Sequence, residues 1–151
     1  MHQHERHYPY GVTKENIMLI QRPQRNMQEE IDYDMGEVIG TLFLARTLAH
    51  NAHLKTTSFA EHQTLANFYD GIVPLADSLA QKYQGRTGQR LDICVCEDEY
   101  TGDITSILKQ ILDEIEGCRY SVADQSDSAI QNVIDEIIGF FLDTLYQLSL
   151  K

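Results

Sequence analysis

Four stretches of this 151-residue chain repeat their apolar residues every three or four positions, and that period makes a bundle of helices the simplest fold. In the first stretch Ile31, Met35, Val38, Leu42, Ala45, Ala49 and Ala52 step along one face, with Ile39 and Phe43 widening it. The pattern predicts a helix over 29–55, about 39 Å long at 1.5 Å per residue. Acids between Glu29 and Asp34 suit its first turns, where backbone N–H groups lack partners.

Ser58 and Glu61 have the spacing of a capping box and open a second helix. It carries Phe59, His62, Leu65, Tyr69, Val73 and Ala76, is expected to bend at Pro74, and ends near 83–84, before Gly85. A third helix is predicted over 103–116, stopped by Gly117, and a fourth over 127–150. Four amphipathic faces cover one another most simply as an all-α four-helix bundle. The segment 85–102 is the one connection long enough to cross the bundle, so the order is hairpin, crossover, hairpin. Leu91, Ile93 and Val95 alternate with Asp92, Cys94 and Cys96, which reads as an extended crossover, or as a strand pairing across a dimer.

The bundle domain therefore spans 29–151. Residues 1–28, with Pro9, Gly11 and Pro23 and no sustained period, read as an N-terminal arm. Its apolar group Ile17–Ile20 needs covering, by the same domain or by a neighbouring subunit.

Composition narrows the partners. Acids outnumber bases 23 to 12, for a net charge of −11, which argues against nucleic acid or an anionic membrane as a partner. The imbalance is local: residues 1–90 hold 10 acids and 9 bases, residues 91–151 hold 13 and 3. No run approaches the ~18 apolar residues of a membrane helix, and the start MHQHERHYPYG lacks the apolar core of a signal peptide, so a soluble, cytoplasmic protein is expected. Three cysteines, Cys94, Cys96 and Cys118, make a poor disulfide framework, and reduced, partly buried thiols are expected.

Chemistry concentrates in His50, His53, His62, Asp70 and Asp77. Imidazole and carboxylate together suit iron, manganese or zinc. Across a short hairpin His53 and His62 can approach each other, but Asp77 lies fifteen residues further, about 22 Å along the second helix. One chain does not bring all three to one ion; two chains packed antiparallel could. The plainer reading is a polar hairpin end with buried hydrogen bonds. Arg46, between apolar positions, is expected to meet an acid on another helix or at an interface. Adjacent acids such as Asp113/Glu114 and Asp135/Glu136 point about 100° apart on a helix and read as solvated faces.

The stretch LFLARTLAHNAHLKTTSFAEHQTLANFYDGIVPLADSLAQKY, residues 42–83, resembles the first hairpin of the Dps-like branch of the ferritin-like superfamily. His53 matches the first family histidine, Phe59 the turn aromatic, His62 the second histidine and Asp77 the distal aspartate. The ending DEIIGFFLDTLYQLSL resembles the family's fourth helix, and the whole resemblance covers roughly residues 31–148. It implies a ferritin-like four-helix bundle with a long crossover between helices two and three, assembled into oligomers that bind iron between subunits and oxidise it. Two departures cut at that activity: Gln81 stands where a partner glutamate would be, and Ala66 where a further acidic ligand would be. The sequence is also similar to small uncharacterised bacteriophage proteins with this hairpin.

The expectation is therefore a non-enzymatic ferritin-like protein without a cofactor, phage-encoded and acting in the host cytoplasm. It would work as a homo-oligomer, joined through the first hairpin or the arm, or by binding a host or phage protein. The alternative is a Dps-like metal-binding protein with residual iron chemistry at His53, His62 and Asp77. DNA mimicry by the acidic half would require its charges to be arranged like backbone phosphates.

Overall fold

The computed structural model describes residues 33–95 and 100–150, and every regular element among them is helical. Helix α1 spans Met35–Lys55, α2 Phe59–Thr87, α3 Ile104–Val122 and α4 Ser128–Ser149. The boundary between arm and bundle at residues 28 and 29 lies outside the described residues, as do Cys96 and the arm itself.

Where each helix begins follows from its cap. Asp34 accepts from the Glu37 N–H at 2.8 Å while the Glu37 carboxylate accepts from the Asp34 N–H at 3.2 Å, so α1 starts at Met35, later than the acidic run suggested. At α2 Ser58 accepts from the Glu61 N–H at 3.3 Å, the one half of the expected box among the described hydrogen bonds. Asp103 caps α3 through the Ser106 N–H. Asp127 stands at the N-cap of α4 with no side-chain cap hydrogen bond, and its carboxylate accepts from Arg86 of α2 at 2.8 and 3.1 Å.

Two glycines expected to end helices do not. The third helix runs through Gly117 to Val122, because Cys118 and Val122 continue the buried stripe of Ile111 and Ile115. That burial outweighs the ~1 kcal/mol an interior glycine costs. Likewise α2 passes Gly85 and stops at Gly88, whose φ of 71° is the left-handed conformation of a helix C-cap. Pro74 lies inside α2 without ending it.

The helices are neighbours in the ring α1–α2–α4–α3, leaving α1 diagonal to α4. Their directions follow from three contacts. Phe68 of α2 stacks on Phe140 of α4 while Arg86 meets Asp127, so α2 and α4 are antiparallel. Arg119 near the end of α3 reaches Asp135 near the start of α4 at 2.7 Å. Helices α2 and α3 thus finish at the same end, and the connection between them returns along the bundle. The core between them includes the fully buried Ile39, Leu42, Phe68, Ile72, Ile137 and Phe141.

Of the apolar side chains that broaden the first two helices, Ile39, Phe68 and Ile72 are fully buried inside the bundle and Phe43 is half-buried. Residues 91–95 form no strand; they run across the start of α1, where a Cβ on Gly36 would overlap the Asp92 carbonyl and one on Gly40 the Cys94 carbonyl. Gly36 and Gly40, one turn apart, are thus the seat of the crossover. Cys94 is disulfide-bonded, against the expectation of reduced thiols, whereas Cys118 is free and buried.

Candidate functional site

The turn Thr56–Ser58 brings the last turn of α1 against the first turn of α2, and with them His53 and His62. The rings stack, with centroids 3.7 Å apart and planes 18° from parallel. Each Nδ1 meets the other residue's main-chain carbonyl, His53 to His62 at 2.8 Å and His62 to His53 at 2.9 Å. A carbonyl oxygen only accepts, so both Nδ1 atoms carry protons and both Nε2 atoms keep their lone pairs when the rings are neutral. The arrangement is a reciprocal clasp that closes the hairpin. It matches the plainer sequence reading, a polar end with internal hydrogen bonds.

Further down the same groove, His50 stacks on Tyr69 at 4.1 Å, and Tyr69 also meets the edge of His53 at 5.2 Å. The guanidinium of Arg46 lies 5.7 Å from the Tyr69 ring centre. The carboxylate expected for Arg46 is replaced, among the described residues, by this aromatic face, which attracts the cation through its negative quadrupole. Tyr69 is the residue that sequence reasoning treated only as core. The register would have found it: Arg46 lies seven residues before His53 and Tyr69 seven after His62, so an antiparallel hairpin sets them opposite each other.

Asp77 is exposed and sits fifteen residues beyond His62 on the unbroken α2, about 22 Å away along its axis. Asp70 and Gln81 are exposed as well, and Ala66 is half-buried. Among the described residues no group of three or more His, Cys, Asp and Glu side chains is placed to hold a metal ion. Within one chain His53 and His62 lie at one end of the hairpin and Asp77 well along α2, so the three do not meet at one point.

A second cluster escaped the sequence reading. Gln131, buried on α4, donates to the carbonyls of Arg119, Ala123 and Asp124 and accepts from Arg119 Nε at 3.1 Å. It ties the α3–α4 turn from inside. At the opposite side of α3, Glu114 accepts from the hydroxyls of both Tyr33 and Tyr100, at 3.0 and 2.9 Å. Both clusters hold loops to helices.

Large apolar side chains remain outside. Leu54 and Phe59 flank the histidine turn at 71% and 76% exposure, and Leu142, Tyr146 and Leu150 are more than half exposed on α4. No helix among the described residues is long and apolar enough to cross a membrane.

The sequence profile of a family of unknown function, DUF5856, matches residues 53–148, from the first clasp histidine to the end of α4. The chain is also similar to a protein of Enterobacteria phage T4, described as an uncharacterized 14.6 kDa protein in the mobD-ri intergenic region. The two are 28% identical over 116 residues, covering 76% of this chain and 88% of the relative. No solved structure matches.

Proposed function

This chain belongs to DUF5856, a family of unknown function, and from that premise we propose that it is a non-enzymatic protein acting by self-association. The observation that carries this reading is the set of exposed side chains Leu54, Phe59, Leu142, Tyr146 and Leu150 on a bundle whose own core is closed. Leaving such groups in water costs roughly 25 cal/mol per Å² of apolar surface, a cost that association recovers.

The ferritin-like layout belongs to the same proposal. It is supported by the parallel run of α2 and α3 with a long return between them, the hairpin–crossover–hairpin order of that superfamily. Action in the cytoplasm of an infected host is supported by the similarity to the phage T4 protein. The clasp speaks for a structural use of His53 and His62, since each spends one ring nitrogen on closing the hairpin. Iron, zinc or manganese at His53, His62 and Asp77 would require a second chain to supply the aspartate.

Sedimentation equilibrium on the full chain tests the proposal, with a dimer or larger species expected at micromolar concentration and a monomer throughout overturning it. An anaerobic ferrous titration separates the metal reading. No saturable uptake and no oxygen consumption are expected. Stoichiometric uptake lost in both His53→Ala and Asp77→Ala would turn the assignment to metal binding.

A further inference from the structure

The outer side of α4 combines an apolar row with uncompensated acids. Leu142, Tyr146 and Leu150 follow one another at four-residue spacing and are 51%, 66% and 54% exposed. Glu136 and Asp143 border that row, both exposed, and neither meets a cation among the described residues; Asp135 is already held by Arg119. No Lys, Arg or His occurs anywhere between Ser128 and Leu150. Gly139 lies on the same side, and nothing stands within 4 Å of where its Cβ would be, so a partner can come close to the backbone there.

One segment of the chain has the complementary composition. Lys14–Arg25 carries Lys14, Arg22 and Arg25 against the single acid Glu15, around the unbroken apolar run Ile17–Ile20. It lies in the N-terminal residues outside the described structure. We propose that the Leu142/Tyr146/Leu150 face of α4 is the docking surface for Lys14–Arg25 of a second copy of this chain. Ile17–Ile20 would cover the apolar row, and the arginines would meet Glu136 and Asp143. The inference rests on the association reading above and names its surface.

The association reading, rather than chain length, selects a second copy over the chain's own arm. Tyr33 sits at the end of the bundle where α4 begins, and Tyr146 lies nineteen residues beyond Asp127, about 28 Å along the axis. The thirteen residues from Ile20 to Tyr33 extend to at most about 45 Å. A diagonal path of that rise and roughly 25 Å around the bundle lies within this reach, so the chain's own arm is the competing occupant. Reciprocal docking between two copies gives a closed two-fold pair, whereas docking within one chain leaves a monomer, so sedimentation separates the two.

Sedimentation velocity on full-length variants tests this, with circular dichroism melts to check that each variant folds. Tyr146→Asp and Leu19→Asp are each expected to weaken association by about tenfold or more. Arg22→Glu/Arg25→Glu is expected to weaken it too, and adding Glu136→Arg/Asp143→Arg to that variant should restore it, which a merely structural effect would not do. Folded Tyr146→Asp protein that associates like the parent would overturn the docking surface and leave the association reading standing. A parent chain that stays monomeric throughout would overturn both.

Discussion

His53 and His62 each donate from Nδ1 to the other's backbone carbonyl, at 2.8 and 2.9 Å, across a hairpin whose turn is only three residues long. The His53 carbonyl, which the last turn of α1 leaves without a helix partner, is thereby satisfied by a side chain, the His62 carbonyl in the first turn of α2 takes a second hydrogen bond, and the rings stack between the helices. Replacing either histidine by alanine is expected to cost about 1–2 kcal/mol, the loss of one hydrogen bond and part of the stack. Urea unfolding measures it, and a double-mutant cycle should show coupling, since either deletion also removes the stacking partner. Long-range proton–nitrogen correlation spectra should find both rings protonated at Nδ1; a proton on Nε2 alone in either ring would contradict the clasp.

Much of this was legible in the sequence, and the part that was not has a common physical cause. Periodicity located four helices because each buries a stripe, and Ile111, Ile115, Cys118 and Val122 obey the same rule even past Gly117. Gly117 does not stop the helix, because a glycine's cost is local whereas the stripe is stabilised by tertiary contact. Proximity of His53 and His62 followed from the short turn, but a reciprocal bond to backbone requires both ring orientations, which no spacing encodes. Arg46 lies half-buried between apolar positions, and within the described residues of one chain it meets an aromatic face where a carboxylate on another helix was one expectation and one at an interface the other. Gln131 looked like an ordinary polar position; its burial arises from three loop carbonyls converging on one amide.

Cys118 lies in the α3 stripe, and burial pushes its thiol up to about 11. At pH 8 only about one such thiol in a thousand is ionised, and the thiolate is the form that alkylating reagents attack. Iodoacetamide labelling followed by peptide mass spectrometry should therefore find Cys118 at least about tenfold slower in the folded chain than in urea. Equal rates would mean that α3 opens freely at that position.

Acid should loosen the junctions between elements before it disrupts the core. The hydrogen bond from Arg86 holds the Asp127 carboxyl below its usual value, that from the Ser126 hydroxyl does the same for Asp124, and the Ser106 N–H for Asp103. All three are lower in the folded than in the unfolded chain, so their stabilisation is present above the unfolded value near pH 4 and is lost as pH falls through the folded ones. Melting temperature is expected to drop as pH goes from about 4.5 to 2.5, and Asp127→Asn should flatten that drop by removing one of the three. All three groups are solvent-accessible, so raised salt should weaken the Arg86–Asp127 part of the effect. A slope unchanged in Asp127→Asn would show that this junction carries no acid sensitivity.

The crossover seat gives the sharpest contrast between two substitutions of the same kind. On Gly40 a methyl group would run into the Cys94 carbonyl, and because that neighbour is backbone, residues 91–95 must lift for the helix to keep its place. Gly85, on the exposed last turns of α2, has nothing within 4 Å of the same position. Gly40→Ala is accordingly expected to destabilise by about 1–3 kcal/mol, as overpacking does, despite alanine's better helix propensity. Gly85→Ala is expected to stabilise by about 0.5–1 kcal/mol, because only the backbone-entropy term changes. Hydrogen exchange locates the effect: in Gly40→Ala the amides of residues 91–95 should exchange faster, while those of α4 stay as protected as in the parent. Were Gly40→Ala to gain stability as Gly85→Ala does, the crossover could not be seated on α1, and the return path between α2 and α3 would have to run elsewhere.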